Sequence, residues 1–410
     1  MEIVVDGSQV LVTSIVVWFL GASINRKVAF LDRYSIPVAV TGGLICSTLV
    51  ALAYVFADWK ISFDMAMRDT LLLIFFSTIG LTAKLRLLKE GGKALALLLL
   101  IATFFLVIQN VTGVLLIKSM GQHPAYGLFG GSVSFAGGYG TAIAWGGVAE
   151  EAGLKMAKEI GIAFATFGLI AGGIIGGPVG EFLIKRQKLK PLPDSDAAAP
   201  LEKISGDEAT AVLAPPISSV LGTIMLLAIC VGAGDLVNKM LFSHGVTLPG
   251  FLTSMMVGII LTNGADLLKV ELSDTALERG GELSLQLFLC MSLMSIQLWT
   301  LTQAIGPILI VLGAQIVVMT AFATWIVYRF MGRDYDAAVI ASGFTGLGLG
   351  ATPVGIANMN ALTSKYGPSP KAFLVIPLVG AFFIDLVNAL VIKFFVALPI
   401  MAPAISQAPT

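Results

Sequence analysis

The chain has 410 residues, of which 57% are hydrophobic and 12% are charged, and its formal net charge at pH 7 is zero. Soluble domains carry about 25% charged residues, so this composition excludes an ordinary soluble domain and favours a protein of the lipid bilayer. The balanced charge gives no reason to expect a nucleic-acid partner. The three cysteines stand alone in apolar runs, a spacing that forms neither a metal site nor a disulfide framework.

A helix needs about 20 apolar residues to cross a bilayer, and ten stretches of this chain approach or exceed that length. The first is expected to remain in the protein, because residues 1–10 lack the basic segment of a cleaved signal peptide. The third and the eighth are short, which favours tilted or broken helices. The ten predicted spans are 8–24, 36–57, 70–84, 93–117, 159–184, 216–238, 247–268, 283–300, 305–330 and 372–398.

A polar segment that contains proline separates the ten spans into two sets of five. It reads KRQKLKPLPDSDAAAPLEKISGDEAT and begins at Lys185. The predicted organisation is an N-terminal half over 1–185, a linker over 186–215 and a C-terminal half over 216–410. With a cytoplasmic linker, alternating spans put 18 lysines and arginines on the cytoplasmic side and six outside, as the positive-inside rule requires. Both termini of the chain are then predicted outside.

The two halves match weakly, but in the same order, at an offset near 212 residues. SIPVAVTGGLI resembles TLPGFLTSMMVGII, which aligns Pro37 with Pro249. Further along, LLLIFFSTIGLTAKL resembles LSLQLFLCMSLMSIQL, and FAGGYGTA resembles FTGLGLGAT. Because each half has five spans, the second half must cross the membrane in the inverted orientation. The predicted fold is an all-α polytopic membrane protein with two inverted repeats of five transmembrane helices, an arrangement typical of secondary transporters.

Two clusters of glycine and hydroxyl residues interrupt the apolar pattern at corresponding places in the halves. The first reads SFAGGYGTAIAWG over 134–146, and the second reads GFTGLGLGATPVG over 343–355. Irregular backbone within a bilayer is tolerated only where it lines protein or a water-filled cavity. We therefore predict two re-entrant hairpins, near 125–148 and 337–362, that enter from opposite faces and meet near the membrane centre. Glycines there let backbone amides approach a ligand closely, and helix N-termini at the tips favour an anion.

The last span contains a carboxylate deep in its apolar sequence. Asp385 lies about eight residues into the span, roughly 12 Å deep, and Asn388 shares its helical face. An ionisable residue at this depth indicates a functional site, and pairing with Lys393 is the structural alternative. In a functional site the carboxylate would meet either sodium or the ammonium group of a substrate. A formal countercharge in a medium of low dielectric constant favours the ammonium group.

Other polar residues within apolar segments carry weaker predictions. Asn358, just after the second hairpin, is expected to belong to the site. Gln109 and Asn110 in the fourth span serve either the site or contacts between helices. Ser77 and Thr78 either supply hydroxyl groups to a site or bond back to their own helix.

The fifth span contains the sequence GLIAGGIIGGPVG, which is rich in small residues. Its pairs Gly172/Gly176 and Gly173/Gly177 have the spacing that allows helices to approach closely. We predict helix packing at these glycines rather than ligand binding.

Four segments closely resemble the bacterial sodium/glutamate symporter family: RDTLLLIFFSTIGL, GGYGTAIAW, YDAAVIASGFTGLGLGATPVGIANM and FLVIPLVGAFFIDLVNALVIK. The resemblance covers essentially the whole chain, with Tyr139 where the family often has histidine. It implies sodium-coupled glutamate uptake across the bacterial inner membrane by an elevator-like movement of a homodimer, with Na⁺ as coupling ion and no organic cofactor. The predicted site comprises Ser134, Gly137, Gly138, Tyr139, Gly140 and Thr141 of the first hairpin, Thr345, Gly346, Gly348, Gly350, Ala351 and Thr352 of the second, and Asn358, Asp385 and Asn388, with Ser77 and Thr78 as further candidates for Na⁺.

Other functions remain open at this point. A sodium-coupled carrier of di- or tricarboxylates would use the same opposed hairpins. A membrane-embedded enzyme would need a nucleophile–base pair or metal ligands within the bilayer, but the sequence contains no HExxH, GxSxG or Cys/His cluster. A channel would need a charged ring or an uninterrupted pore-lining repeat, and the sequence has neither. The prediction is a transporter of an anionic amino acid, and not an enzyme.

Overall fold

The computed structural model describes residues 2–33, 36–86, 92–191, 217–244, 248–269, 272–296 and 305–401. Within these residues, helices dominate. A short parallel sheet of β1 (Glu2–Val5) and β2 (Lys60–Phe63) pairs Val5 with Phe63, and the apolar pattern did not predict it. Most of the predicted linker, from residue 192 onwards, lies outside the described residues.

The helices follow the order of the predicted spans, with shorter helices at the two predicted hairpins. In the N-terminal half they are α1 (Gly7–Asn25), α2 (Ala29–Arg33), α3 (Val38–Ala57), α4 (Ala66–Thr82), α5 (Gly92–Ser119), α6 (Tyr126–Phe129), α7 (Gly138–Glu151) and α8 (Ala157–Gln187). In the C-terminal half they are α9 (Ile217–Ser243), α10 (Gly250–Leu267), α11 (Asp274–Met294), α12 (Ile305–Phe330), α13 (Tyr335–Leu349), α14 (Thr352–Tyr366) and α15 (370–396).

Each of the ten predicted spans coincides with one of these helices. Seven helices in the described part of the chain are long and apolar enough to cross a membrane on their own: α1, α3, α5, α8, α9, α10 and α12. The eighth prediction was wrong at its start, because α11 begins at Asp274 instead of residue 283. Its first turns contain Ala276, Leu277 and Glu278, which all favour a helix. The helix therefore begins before the continuous apolar sequence on which the prediction was based. The protein is an all-α polytopic membrane protein.

Helix contacts divide the described structure into two bundles. The frame bundle consists of α1, α3, α4, α9, α10 and α11, in which α4 packs on α10 and α11, and α11 packs on α3. The hairpin bundle consists of α5 to α8 and α12 to α15, in which α8 packs on α7, α13 and α14. Between the bundles, α7 contacts α11, and a π-helical turn of α15 (Val379–Phe383) contacts α4.

A stripe of glycines on α8 allows the helix to lie against α13 and α14. A methyl group at Gly176 would overlap the side-chain amide of Asn358, and one at Gly180 would overlap Leu362. A methyl group at Gly172 would lie 3.3 Å from Leu349 Cβ and 3.5 Å from Gly346 Cα, both on α13. The predicted packing is therefore confirmed for Gly172 and Gly176. It is wrong for Gly177, because a methyl group there would meet no described atom within 4 Å.

Candidate functional site

The first hairpin, residues 126–151, consists of α6, an irregular turn over 130–137, and α7. Gly138 is the first residue of α7 and has a φ of +62°, a backbone conformation that residues with a Cβ atom rarely adopt. The hairpin enters and leaves at one end of the molecule, since the Tyr126 hydroxyl donates to the Lys155 carbonyl over 2.7 Å. Glycine is thus required at the tip of this hairpin by the backbone itself.

The second hairpin, residues 335–366, consists of α13 and α14 joined at Gly350 and Ala351. Gly350 has φ −147° and ψ −87°, and Ala351 has extended backbone. The helix therefore breaks here, and α14 begins at Thr352 with proline in its first turn. The two ends of this hairpin also lie together, because the Tyr335 hydroxyl donates to the Gly367 carbonyl. The sequence motif therefore folds as two helices with a sharp break between them.

The tips of the two hairpins meet inside the hairpin bundle. A Cβ atom placed on Gly138 would lie 4.0 Å from the carbonyl oxygen of Gly350. Residues 212 positions apart in sequence therefore contribute irregular backbone to the same small region. At such breaks the first N–H groups of a helix, here those of α7 and α14, have no partner within their helix.

Helix α15 contacts both hairpins and carries the predicted carboxylate between the two contacts. The Thr352 hydroxyl donates to the Gly380 carbonyl over 2.9 Å, and the Asn388 amide donates to the Ser132 carbonyl over 3.0 Å. Asp385 lies between Gly380 and Asn388 on the helix, directly after the π-helical turn. Its carboxylate has no hydrogen bond or ion pair with any described residue. Turns of this kind often mark functional sites.

Buried side-chain amides hold the irregular backbone of both hairpins. On α5, the Gln109 amide donates to the Gly348 carbonyl over 2.9 Å, while Asn110 Oδ1 accepts from the Ser132 N–H over 2.8 Å. On α12, the Gln315 amide donates to the carbonyls of Gly130 and Gln109 over 2.7 and 2.8 Å. Each half of the chain thereby fixes a hairpin of the other half.

Several predicted site residues pack within the bundle instead of facing open space. The Thr345 hydroxyl donates to the carbonyl of Ala341 within α13. Methyl groups at Gly346 and Gly348 would overlap Gly355 and Met319. These three residues therefore stabilise the second hairpin by packing within the bundle. Asn358 acts similarly, because its amide donates to the Gly172 carbonyl of α8 over 3.0 Å.

The remaining first-hairpin residues lie at or near its contact with the frame bundle. The Tyr139 hydroxyl bonds to Thr166 on α8 over 3.1 Å. A methyl group at Gly140 would lie 2.9 Å from the ring of Phe75 on α4. Thr141 is buried one turn further along α7, and a methyl group at Gly137 would lie 2.6 Å from its Cβ.

The structure does not bring Ser77 and Thr78 to the hairpin tips. Both lie on α4, and their hydroxyls donate to the carbonyls of Leu73 and Phe75 in their own helix. They pack against Gly258 on α10 and Gly281 on α11. Of the two alternatives drawn from sequence, the local hydrogen bond is the one observed.

A cavity of about 350 Å³ lies between the two bundles, within the size range of small-molecule sites. It extends along α7 from Glu151 to Ile143 and is closed on the frame side by Phe251 and Phe288. Three cationic side chains contribute to its lining: Arg68, Lys158 and Lys393. Arg68 pairs with Asp69 over 2.5 Å, and Lys158 pairs with Glu150 over 2.8 Å. The cavity can admit a small charged solute beside the first hairpin.

Sequence reasoning missed Ser132 and Gln315 as parts of this arrangement. Ser132 lies two residues before the first glycine-rich cluster, which was defined as residues 134–146. Gln315 is a lone amide in the apolar run ILIVLGAQIVVM, and that isolation is the signal that would have identified it. Gln315 bonds to Gly130, 185 positions away, and Ser132 bonds to Asn388, 256 positions away, so these contacts require the folded structure.

Apolar helices surrounding a buried polar region, with broken helices from both halves, define a polytopic membrane protein of the transporter class. The chain matches the family described as sodium/glutamate symporter over residues 3–368. The sodium/glutamate symporter of Escherichia coli (strain K12) is 40% identical to it over 400 residues, which cover 97% of this chain and 99% of that relative. The sodium/glutamate symporter of Haemophilus influenzae (strain ATCC 51907 / DSM 11121 / KW20 / Rd) is 39% identical over 387 residues, which cover 94% of this chain and 96% of that relative. The chain belongs to the sodium/glutamate symporter family, as the sequence motifs predicted, and is not an enzyme.

Proposed function

We propose that the protein carries glutamate together with sodium ions across the bacterial inner membrane by alternating access. Family membership and the names of the relatives support this activity. The structural observation that carries the proposal is the meeting of the two hairpin tips at Gly138 and Gly350. The first N–H groups of α7 and α14 suit the substrate carboxylates, and the Asp385 carboxylate suits a cation. Both kinds of group are needed where an anionic solute is carried together with sodium ions.

An inverted repeat is part of this proposal, and the packing of the frame bundle supports it. Helix α3 packs on α11 as α10 packs on α4, which are equivalent contacts if the halves are exchanged. Gly43 packs against Leu293, and Gly80 packs against Met255, so offsets of 212 and 213 residues convert one pair into the other. The aligned prolines have the same role, since Pro37 and Pro249 precede α3 and α10 with φ of −58° and −59°.

Opposed re-entrant hairpins are also part of the proposal, and α8 provides the argument for them. Its 31 residues extend about 46 Å, more than the 30 Å hydrocarbon core. The ends of the first hairpin lie at its start, where Glu150 pairs with Lys158. The ends of the second lie near its other end, where Glu181 pairs with Lys365 over 2.9 Å. Hairpins that begin at opposite ends of a membrane-length helix and touch at their tips each reach part of the way through the bilayer.

The separation into bundles supports an elevator-like movement. The hairpins and the unpaired Asp385 all belong to the hairpin bundle, while the frame bundle contributes one wall of the cavity. Displacement of the hairpin bundle along the frame bundle would carry the bound solute from one side to the other. The cavity lining includes Arg68 and Lys158, which the predicted orientation places on the outer side of the membrane.

The orientation follows from the distribution of basic residues, with the linker cytoplasmic and both termini outside. Single cysteines at Ser195 and Ser406, which lie outside the described residues, are expected to react with impermeant reagents from opposite sides of the membrane. Labelling from the same side would contradict an odd number of spans in the second half. A homodimer is the expected assembly, and light scattering of the detergent-solubilised protein measures it.

Uptake by proteoliposomes tests the proposed activity. Purified protein is reconstituted, and labelled glutamate is supplied with an inward sodium gradient or with choline in place of sodium. We expect glutamate to accumulate only with the gradient, and protein-free liposomes are the control. Competition by unlabelled dicarboxylates without an amino group separates the two carrier functions. Stronger competition by those compounds than by glutamate, or equal uptake in choline, would contradict the proposal.

A further inference from the structure

Buried polar atoms without a partner are concentrated around the irregular turn of the first hairpin. Eleven buried side-chain nitrogen and oxygen atoms of the described residues make no hydrogen bond within the protein. Five of these atoms belong to residues on this turn or bonded to it. A sixth belongs to Gln109, which bonds to Gln315 and to Gly348, and five of the six atoms are oxygens. The six residues are Gln109, Asn110, Ser132, Ser134, Gln315 and Asn388, each no more than 1% exposed.

Hydrogen bonds to the backbone fix which atoms of the amide groups remain unpaired. Asn388 directs its nitrogen at the Ser132 carbonyl, so turning the amide over would bring two oxygens together. Asn110 directs its oxygen at the Ser132 N–H, so the opposite flip would bring two donors together. Gln315 directs its nitrogen at two carbonyls. The unpaired amide oxygens are thus a property of the fold and not of an arbitrary assignment.

An excess of buried acceptors calls for a donor or a cation. A buried polar group without a partner keeps an uncompensated cost of desolvation, and this region has five such oxygens. Water can satisfy acceptors, but it does not neutralise a buried charge. One helical turn before Asn388 lies the Asp385 carboxylate, which also has no partner among the described residues. A cation compensates both the carboxylate and the acceptors.

We propose that the Ser132 and Ser134 hydroxyls and the Asn388 side-chain oxygen bind a sodium ion, with Asp385 supplying the countercharge. This assignment rests on the proposed function and identifies where its coupling ion binds. Hard cations prefer oxygen ligands of this kind, and irregular backbone with helix breaks is where transporters coordinate sodium. Bound sodium would hold the first hairpin against α15, which links ion binding to the shape of the hairpin tip.

Thermal unfolding of the purified protein in detergent, without glutamate, tests the site directly. Sodium chloride is titrated against choline chloride at constant ionic strength, because a ligand that binds only the folded state raises the unfolding temperature. We expect the wild type to be stabilised by sodium in a saturable way. In Ser132→Ala and in Ser134→Ala, the sodium concentration for half-maximal stabilisation is expected to rise at least about tenfold.

Ser134→Ala is the safer variant, because the hydroxyl makes no hydrogen bond within the protein and its loss breaks none. Ser292→Ala is the matched control, since Ser292 also carries a buried unpaired hydroxyl but lies on α11 of the frame bundle. The control is expected to keep the wild-type sodium dependence. Unchanged sodium dependence in both site variants would overturn the assignment while leaving sodium coupling intact. Absence of any sodium effect on the wild type would contradict both the assignment and the proposed coupling.

Discussion

At the scale of single residues, the position of Asp385 is the most informative feature of the site. Its helix touches the second hairpin through Gly380 and the first through Asn388, and the carboxylate lies between these contacts. The sequence left sodium and a substrate ammonium as alternatives and favoured the ammonium. The unpaired oxygens around Ser132 change that preference, because they are cation ligands within reach of the same helical face.

The variant Asp385→Asn separates the two roles, because it keeps the size of the side chain and removes its charge. We expect the sodium concentration for half-maximal uptake to rise about tenfold or more, with glutamate affinity largely recovered at saturating sodium. The measurement is the dependence of glutamate uptake on sodium in proteoliposomes. Asp235→Asn, on the exposed surface of α9, is the matched control and is expected to behave as the wild type.

Two results for Asp385→Asn would contradict the sodium role. Glutamate affinity lost equally at every sodium concentration, with relatively better uptake of dicarboxylates that lack an amino group, would assign the carboxylate to the ammonium. Unchanged dependence on both solutes would make Asp385 a structural residue.

At the scale of helices, the glycine stripe of α8 determines how closely the second hairpin approaches. Gly176→Ala is expected to lower the stability by about 1–3 kcal/mol, since the added methyl group overlaps Asn358. Gly177→Ala, one position along, is expected to be neutral or slightly stabilising, because its methyl group meets no described atom and alanine favours the helix. The measurement is the thermal unfolding midpoint in detergent. Equal destabilisation by both variants would show that the stripe does not pack as described.

Much of the helical framework could be predicted, because a bilayer imposes length and apolarity on every span. The glycine clusters likewise marked both hairpins, since glycine at Gly138 is needed for the backbone conformation itself. The amide contacts could not be predicted, because Gln315 and Asn388 bond to residues 185 and 256 positions away. The short sheet was missed because its strands have only four residues each.

At the scale of the whole molecule, the frame and hairpin bundles touch beside the cavity. The rings of Trp145 on α7 and Phe251 on α10 lie 5.8 Å apart across that boundary. Within the frame bundle, by contrast, the indole of Trp18 donates to the Gln286 side chain over 3.2 Å. A covalent bridge between positions 145 and 251 would join the two bundles. A bridge between positions 18 and 286 would join two helices of the frame bundle, which are expected to remain together.

The movement of the hairpin bundle against the frame bundle is the central claim, and cross-linking tests it most directly. Cysteine pairs are introduced at Trp145 and Phe251, or at Trp18 and Gln286, in a chain whose native cysteines are replaced by serine, and mercuric ion bridges each pair. We expect bridging at Trp145 and Phe251 to abolish sodium-driven glutamate uptake, with recovery after excess thiol, and bridging at Trp18 and Gln286 to leave uptake unchanged. Undiminished uptake by protein fully bridged between Trp145 and Phe251 would contradict the movement of one bundle against the other.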